Sequence, residues 1–430
     1  MDLSELQDRI DNKYFSGAAI DSRQIKESQV FFALKGEKVD GHLFLQEAKC
    51  KGAEAAVVSK GYLGDDYGLI LVRVDDVLQS LQTLAKKVFK KRNTKVLGVT
   101  GSVGKTTIKE FIATLLEEKF CLMKTPGTYN SQATFPLCIV NSPGEEELFV
   151  MEMGMSLPGE LARLVDIAPP DIAFVGRVAL AHAASFSDGL EGIAREKAQI
   201  LSHPKTRIAI LHAETSRLTP FCKTQKRETF VYGDEEFFLE AYDNGWRVVE
   251  KGMYSPVFSL PFVAAHLREN FLGATAVARA LGMQWEEILS RISQLKLVSR
   301  RFQEVEKEGV LYINDAYNAN PASMRAALEN LPRPQGGKKI GVLGEMRELG
   351  RFSKVSHYEI GELALSCVDE LLCFGEECLP MVEVFAKEGR SAQFFTDLVE
   401  LKRALDFMVK PGDVVLIKGS NSKQMWTLLE

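Results

Sequence analysis

Seven consecutive residues, Gly101-Ser102-Val103-Gly104-Lys105-Thr106-Thr107, combine glycine, lysine and hydroxyl side chains at a spacing suited to a triphosphate. Glycines let backbone N–H groups approach phosphate oxygens, and a helix N-terminus behind them adds a favourable dipole. Lys105 would meet the terminal phosphates and the Thr106 hydroxyl would bind magnesium. The pattern is TGSxGKTT rather than GxxxxGK[ST], because Val99 holds the first glycine position of the latter. A chance glycine turn before a helix is the alternative, but Lys-Thr-Thr and both flanking elements also match. A nucleoside triphosphate is the expected ligand.

Three further residues stand where their types are out of place. Glu152 ends the otherwise apolar run LFVMEMG, where a lone carboxylate is unfavourable unless paired or bound to metal. It also falls at a strand's carboxyl end, where open α/β sheets place ligands. A structural buried glutamate is the alternative to a magnesium ligand. Lys197, in GLEGIAREKAQIL, falls on the apolar stripe marked by Leu190, Ile193, Ala194 and Leu201. It is either a snorkelling lysine or an amine neutralised by burial and used chemically. His182, in ALAHAAS, follows a strand and lines the same cleft in this reading.

Short apolar runs alternate with helical patterns along the chain, which predicts α/β architecture with largely parallel sheets. A first block, 1–90, holds the strand-like segments Val30–Gly36 and Ala53–Ser59 and ends in the amphipathic helix VLQSLQTLAKKVFKKR. A second, 91–298, opens with the strand Lys95–Gly101 and a helix whose apolar face is Ile108, Phe111, Ile112, Leu115 and Leu116. Strands at Leu148–Gly154, Asp171–Gly176 and Arg207–Ala213 follow, and the helical stretch Asn270–Gly282 precedes its end. The third, 299–430, repeats the rhythm in VLYINDAYN, KIGVLGEM, DELLCFG and DVVLIKGS.

With 430 residues, 46% hydrophobic and 26% charged, the chain exceeds one compact core. A net charge of −5 argues against general nucleic-acid or membrane-surface binding. MDLSELQDRI has neither a basic nor an apolar signal region, and no run is long enough for a membrane span. Seven scattered cysteines do not form a disulfide framework, and Cys367, Cys373 and Cys378 lack zinc-site spacing. The expected compartment is the cytoplasm. A GTPase is excluded by the lack of DxxG after a strand and of NKxD.

Together, these residues resemble the Mur ligases, which join an amino acid or dipeptide to a UDP-N-acetylmuramoyl substrate. The resemblance implies that Gly101–Thr107 holds ATP, and that Glu152 and His182 are magnesium ligands. It implies that Lys197 carries CO2 as a carbamate and supports the second of two magnesium ions. Asp21-Ser22-Arg23 and Phe31–His42, with Gly36, Asp40, Gly41 and His42, resemble the family's UDP-sugar-binding domain. Asp315-Ala316-Tyr317-Asn318-Ala319-Asn320-Pro321, then Ser323-Met324, is the signature of the D-alanyl-D-alanine-adding branch. DYAHTP and a DNPR-like motif, marks of the branch adding diaminopimelate or lysine, are missing. VLGEMRELG with His357, and VLIKGSNS, also look like the dipeptide-adding branch.

The implied architecture is a UDP-substrate domain, a central P-loop ATPase domain and a Rossmann-like C-terminal domain, working as a monomer. The implied substrates are UDP-N-acetylmuramoyl-tripeptide and D-alanyl-D-alanine, joined through an acyl phosphate. By resemblance alone, Asn270 contacts the base, Arg301 the phosphates and Asp315 the ribose. By their residue types these positions also read as a helix cap, a surface charge and a turn former. Asn130, Tyr317, Asn318 and Asn320 are carried over as substrate contacts. The chain departs from the family pattern at Ser131, Thr134, Gly176-Arg177, Asn314 and Asn421. Folylpolyglutamate synthase shares the ATP core, and a nucleotide-driven switch protein is the competing class.

Overall fold

The computed structural model describes residues 3–12, 14–36, 38–222 and 227–430. Its first sheet has four parallel strands in the order Gly17–Ala19, Gln29–Phe32, Ala55–Ser59, Ile70–Val74. Alternate side chains serve opposite faces, as the strand period of two requires. Val30, Phe32, Val57 and Val72 pack toward the helix Val77–Lys90, while Phe31, Ala33, Ala56 and Val58 pack with Leu45 and Ala48. The Asp76 carboxylate caps that longer helix by accepting from Gln79 N–H.

The expected strand from Val30 to Gly36 stops at Phe32 because the chain folds back. Gly41 N–H donates to the Leu34 carbonyl and Gly36 N–H to that of Val39. A Cβ on Gly41 would sit 2.6 Å from Leu34 O, so only glycine fits the return. Glu37, within the Phe31–His42 string, lies outside the described residues. At the far edge, the Asn141 side-chain amide completes Gly17–Ala19. It accepts from Ala18 N–H at 2.7 Å and donates to Ala18 O at 2.9 Å.

The central sheet has six strands, all parallel, ordered Glu228–Tyr232, Ile208–His212, Ile172–Val175, Lys95–Thr100, Leu148–Glu152, Leu122–Lys124. The chain leaves Leu148–Glu152 on one side of Lys95–Thr100 and resumes at Ile172–Val175 on the other. That reversal opens a crevice at the strands' carboxyl ends, the usual ligand position in such sheets. The phosphate loop, Glu152 and the segment bearing His182 all emerge there.

A small antiparallel sheet, Phe237–Tyr242, Gly245–Glu250 and Met253–Tyr254, is additional to the elements read from sequence. Its first turn holds Asp243 and Asn244 at positive φ, the two-residue geometry that matches strand twist. The last sheet runs Gln303–Lys307, Val310–Asn314, Val414–Lys418, Lys339–Gly344, Glu370–Phe374, Ala392–Phe395. Its first pair is antiparallel and the rest parallel. The protein is thus a mixed α/β structure dominated by parallel sheets. No helix among the described residues is long and apolar enough to cross a membrane. All seven cysteines are free.

Candidate nucleotide and cation site

The strand Lys95–Thr100 is buried from Val96 onward and delivers the loop Gly101–Gly104 to the helix Lys105–Leu116. Ile108, Phe111, Ile112, Leu115 and Leu116 are all buried, as their helical spacing predicts. Gly104 caps the helix at φ +74°, and a Cβ there would lie 2.5 Å from Asn270 Oδ1. Both facts demand glycine. Ser102 Oγ donates to Ala179 O and accepts from Ala179 N–H, tying the loop to the strand's neighbour.

A cavity of about 350 Å³ opens over this loop, lined by Ser102 to Thr107, with Glu152 and His182 on its walls. Asn130 Nδ2 donates to Glu152 Oε1 at 2.6 Å, while Glu152 Oε2 is buried without a hydrogen-bond partner. A buried carboxylate oxygen left open is the donor a divalent cation needs. No three His, Cys, Asp or Glu side chains converge to hold a metal among the described residues. A cation here would complete its shell with water, phosphate or hydroxyl oxygens, and the Thr106 hydroxyl is on the same wall.

The cavity gathers cations. Burial holds the Lys105 ammonium below its ordinary range, reinforced by Arg301 and opposed by Glu152. Its Nζ donates to Gly101 O at 3.0 Å. Arg301 Nη2 donates to Thr106 Oγ1 at 3.2 Å, its guanidinium lies over the Tyr317 ring, and its buried Nε is unpartnered. Lys418 is buried and donates to Asp315 Oδ2 at 2.5 Å, and burial lowers its pKa. Lys197 is 1% exposed, and burial, then Lys105, push its pKa well below the ordinary lysine value. Lys197 and Lys418 are buried and Lys105 and Arg301 half-buried, a concentration of positive groups that suits a polyanion.

The last block reaches across to the loop. Asn320 caps the helix Pro321–Glu329 by accepting from Ser323 N–H, and its Nδ2 donates to Ser102 O at 3.2 Å. The Tyr317 hydroxyl meets Thr128 Oγ1. Asp315 uses both oxygens internally, on Phe302 N–H and Lys418.

Family models match three consecutive stretches of the chain. "Mur ligase family, catalytic domain" covers 15–88, "Mur ligase middle domain" 99–278 and "Mur ligase, glutamate ligase domain" 300–421. A Bacillus subtilis protein named UDP-N-acetylmuramoyl-tripeptide--D-alanyl-D-alanine ligase is 31% identical, over 95% of this chain and 91% of its own. The chain belongs to the Mur ligase family. Among solved structures, MurF ligase from Thermotoga maritima in complex with ADP superposes at TM-score 0.79 with 31% identity, covering 96% of each chain. MurF from Acinetobacter baumannii gives 0.83 with 27% identity, over 96% of this chain and 92% of that one.

Set against the expected site of a Mur ligase, the structure brings Asn130, Asn270, Arg301, Asp315, Tyr317, Asn318 and Asn320 to the same cavity wall as the phosphate loop. Lys197 is not on that wall, and its amine has no hydrogen bond or ion pair among the described residues. Leu190, expected on the apolar stripe with it, is exposed because the helix begins there. Asn320, expected at substrate, also caps a helix and clasps the phosphate loop.

Asp21, Ser22, Arg23, Gly36, Asp40, Gly41 and His42 stand apart from the cavity, in the first sheet's loops. Asp21 pairs with Arg23 at 2.7 Å, and Ser22 Oγ donates to Glu47. His42 spends both ring nitrogens, one on Asp40 and one on Ser59 N–H, so it serves the loop's own shape. Ser131 and Thr134, two departures from the family pattern, bond each other reciprocally.

Sequence reasoning missed Lys109 and Lys418. Lys109 has no exposure, and its Nζ donates to Thr125 O at 2.6 Å and Gly127 O at 2.5 Å. It also lies 3.1 Å from Glu110 and 4.0 Å from Glu152 Oε2. Its place three residues before Ile112 and seven before Leu116, on the apolar side of the phosphate-loop helix, was a readable signal.

Proposed function

We propose that this chain is an ATP-dependent ligase that joins D-alanyl-D-alanine to UDP-N-acetylmuramoyl-tripeptide. The observation that carries the reading is the cavity over the phosphate loop, where Lys105, Thr106 and Arg301 share the wall with Glu152, one of whose carboxylate oxygens accepts no hydrogen bond. The activity for which the relatives are named and the Asp315–Pro321 string beside the loop point to the substrates.

The tripeptide's terminal carboxylate is a poor acyl donor, so its oxygen attacks the γ-phosphorus and ADP leaves, giving an acyl phosphate. Lys105 and Arg301 face the charge that builds on the transferring group. The neutral dipeptide amine then attacks the acyl carbon, loses a proton and expels phosphate. Water would destroy the acyl phosphate, so the clasp of the last block over the loop through Asn320 and Arg301 serves to exclude it.

Thr106, Glu152 and His182 are the residues to hold a first magnesium ion. Lys197 would support a second if its neutral amine added CO2, with loss of one proton, to become a carbamate. Bound magnesium supplies charge neutralisation at the phosphoryl oxygens. The low pKa and unpartnered state of Lys197 support the carbamate.

Residues 1–90 are assigned to the UDP-sugar, 91–298 to ATP, and 299–430 to the dipeptide and closure of the ATP site. One chain furnishes every part, which suits a monomer, and seven free thiols suit the cytoplasm.

The test is phosphate release from ATP and magnesium with UDP-N-acetylmuramoyl-tripeptide, comparing D-alanyl-D-alanine with single amino acids. Release only with the dipeptide, with a matching gain in product mass, is expected. Release with a single amino acid would move the protein to another step, and silence with every pair would overturn the ligase reading.

A further inference from the structure

The segment after Lys339–Gly344 leans on the central block where His182 emerges. Glu348 Oε2 meets His182 Nδ1, and Ser156 Oγ lies 3.3 Å from the same nitrogen. The Glu348 carbonyl accepts from Ala184 N–H at 2.9 Å, so backbone and side chain of one residue grip both ends of the turn. A Cβ on Gly350 would lie 2.9 Å from Ala184 Cα, and Arg351 Nη2 donates to Ser187 O. His182 Nε2 has no partner among the described residues, and the side chain is on the cavity wall with Glu152 and Thr106.

We propose that Glu348 is a positioning residue for the cation site: a carboxylate from the last block that holds His182 by Nδ1 and leaves Nε2 to face the metal. The inference rests on the reading of His182 as a cation ligand. Histidines that bind metal commonly donate their other ring N–H to a carboxylate, which fixes the tautomer and raises the basicity of the ligating nitrogen.

An ordinary interdomain ion pair explains the arrangement less well. The Glu348 side chain is 58% exposed, and pairs so exposed contribute little to stability. Yet both partners hold left-handed backbone conformations, His182 at φ 58° and Glu348 at φ 64°, which non-glycine residues seldom adopt. Two such residues facing each other across a block boundary point to a required geometry.

The consequence is that the environment of the metal ligand is complete only when the last block is docked. Cation binding and docking then favour each other by the same factor, as linkage requires.

The experiment is Mn²⁺ titration of the full chain in the presence of ADP, where no turnover occurs. Wild type, His182→Ala, Glu348→Ala, Glu348→Gln and the His182→Ala/Glu348→Ala double variant are compared by calorimetry or electron paramagnetic resonance. Glu348→Ala is expected to weaken Mn²⁺ about 10–100-fold. Glu348→Gln should fall between it and wild type, since an amide carbonyl still accepts from Nδ1–H. The double variant should bind no more weakly than His182→Ala alone, because Glu348 acts through the imidazole.

Hydrogen exchange gives a second readout. Mn²⁺ with ADP should protect residues 182–188 and 346–352 in wild type and fail to do so in Glu348→Ala. Mn²⁺ affinity of Glu348→Ala within twofold of wild type, with His182→Ala impaired, would overturn the positioning role and spare the ligand reading. Unchanged affinity in His182→Ala would overturn both.

Discussion

Replacing Lys109 with methionine tests how the phosphate-loop helix is anchored. The side chain is fully buried, its amine bonds the carbonyls of Thr125 and Gly127, and it lies 3.1 Å from Glu110 and 4.0 Å from Glu152. Methionine keeps the length and loses the charge, leaving two carbonyls unsatisfied beside two carboxylates. Breaking a buried pair by removing one partner costs about 3–5 kcal/mol. The unsatisfied carbonyls fall within that figure rather than adding to it, because Lys124 still bonds Glu110 and Asn130 still bonds Glu152. For a unit near 200 residues this lowers the melting transition by roughly 6–20 °C. Scanning calorimetry should follow the transition that ADP raises, since a chain of several units need not melt in one step. Lys119→Met is the control: that lysine is 31% exposed, bonds one carbonyl and lies 3.8 Å from Glu287. Its loss should cost no more than about 1 kcal/mol. If Lys109→Met lowered the transition no further than Lys119→Met, the anchoring argument would be wrong.

Three other outcomes follow from the same geometry. Lys197→Ala should lose most ligase activity and recover part of it with added short carboxylates; full activity in the variant without rescue would remove the carbamate. Gly104→Ala places a side chain at φ +74° and against Asn270, an expense of about 1–2 kcal/mol for the backbone alone. The melting transition that ADP raises should therefore fall by roughly 2–8 °C, and an unchanged transition would refute the cap argument. Burial alone would raise the Glu110 pKa, but the Lys124 hydrogen bond and the Lys109 charge outweigh it and hold the group below its ordinary value. A carboxylate lowered in the folded state stabilises above its unfolded pKa of about 4.3, and that gain is lost as pH falls through the lower folded value. The stability difference between wild type and Glu110→Gln should thus shrink on acidification from about pH 6 to 3; a pH-independent difference would contradict the pairing.

The parallel core was legible because buried strands are written as apolar runs with few interruptions. Lys95–Thr100, Leu148–Glu152, Ile172–Val175 and Val414–Lys418 all lie inside the strings read as strands. The phosphate loop was legible because its chemistry is local, with seven neighbours doing one task. Edge elements were not, since Ile70–Val74 and Ala392–Phe395 carry exposed positions that dilute the pattern. The hairpin at Phe237–Glu250 had a signal in Asp243-Asn244-Gly245 that went unused. Glu348 was out of reach for another reason. Its meaning depends on His182, 166 residues earlier in the chain, and no spacing rule joins them.

Asn141 gives the first sheet something a strand usually supplies. The edge at Gly17–Ala19 would otherwise offer an open N–H and C=O to any passing extended chain, the template from which sheets grow between molecules. A single carboxamide from the central block closes it by imitating a peptide unit, matching donor to acceptor at Ala18. The same two bonds are therefore both a plug against misassembly and a pin on which the first block is hung. Any swing that draws the two apart at this point uncovers a sticky edge, so freedom of movement and resistance to aggregation are set against each other at one residue.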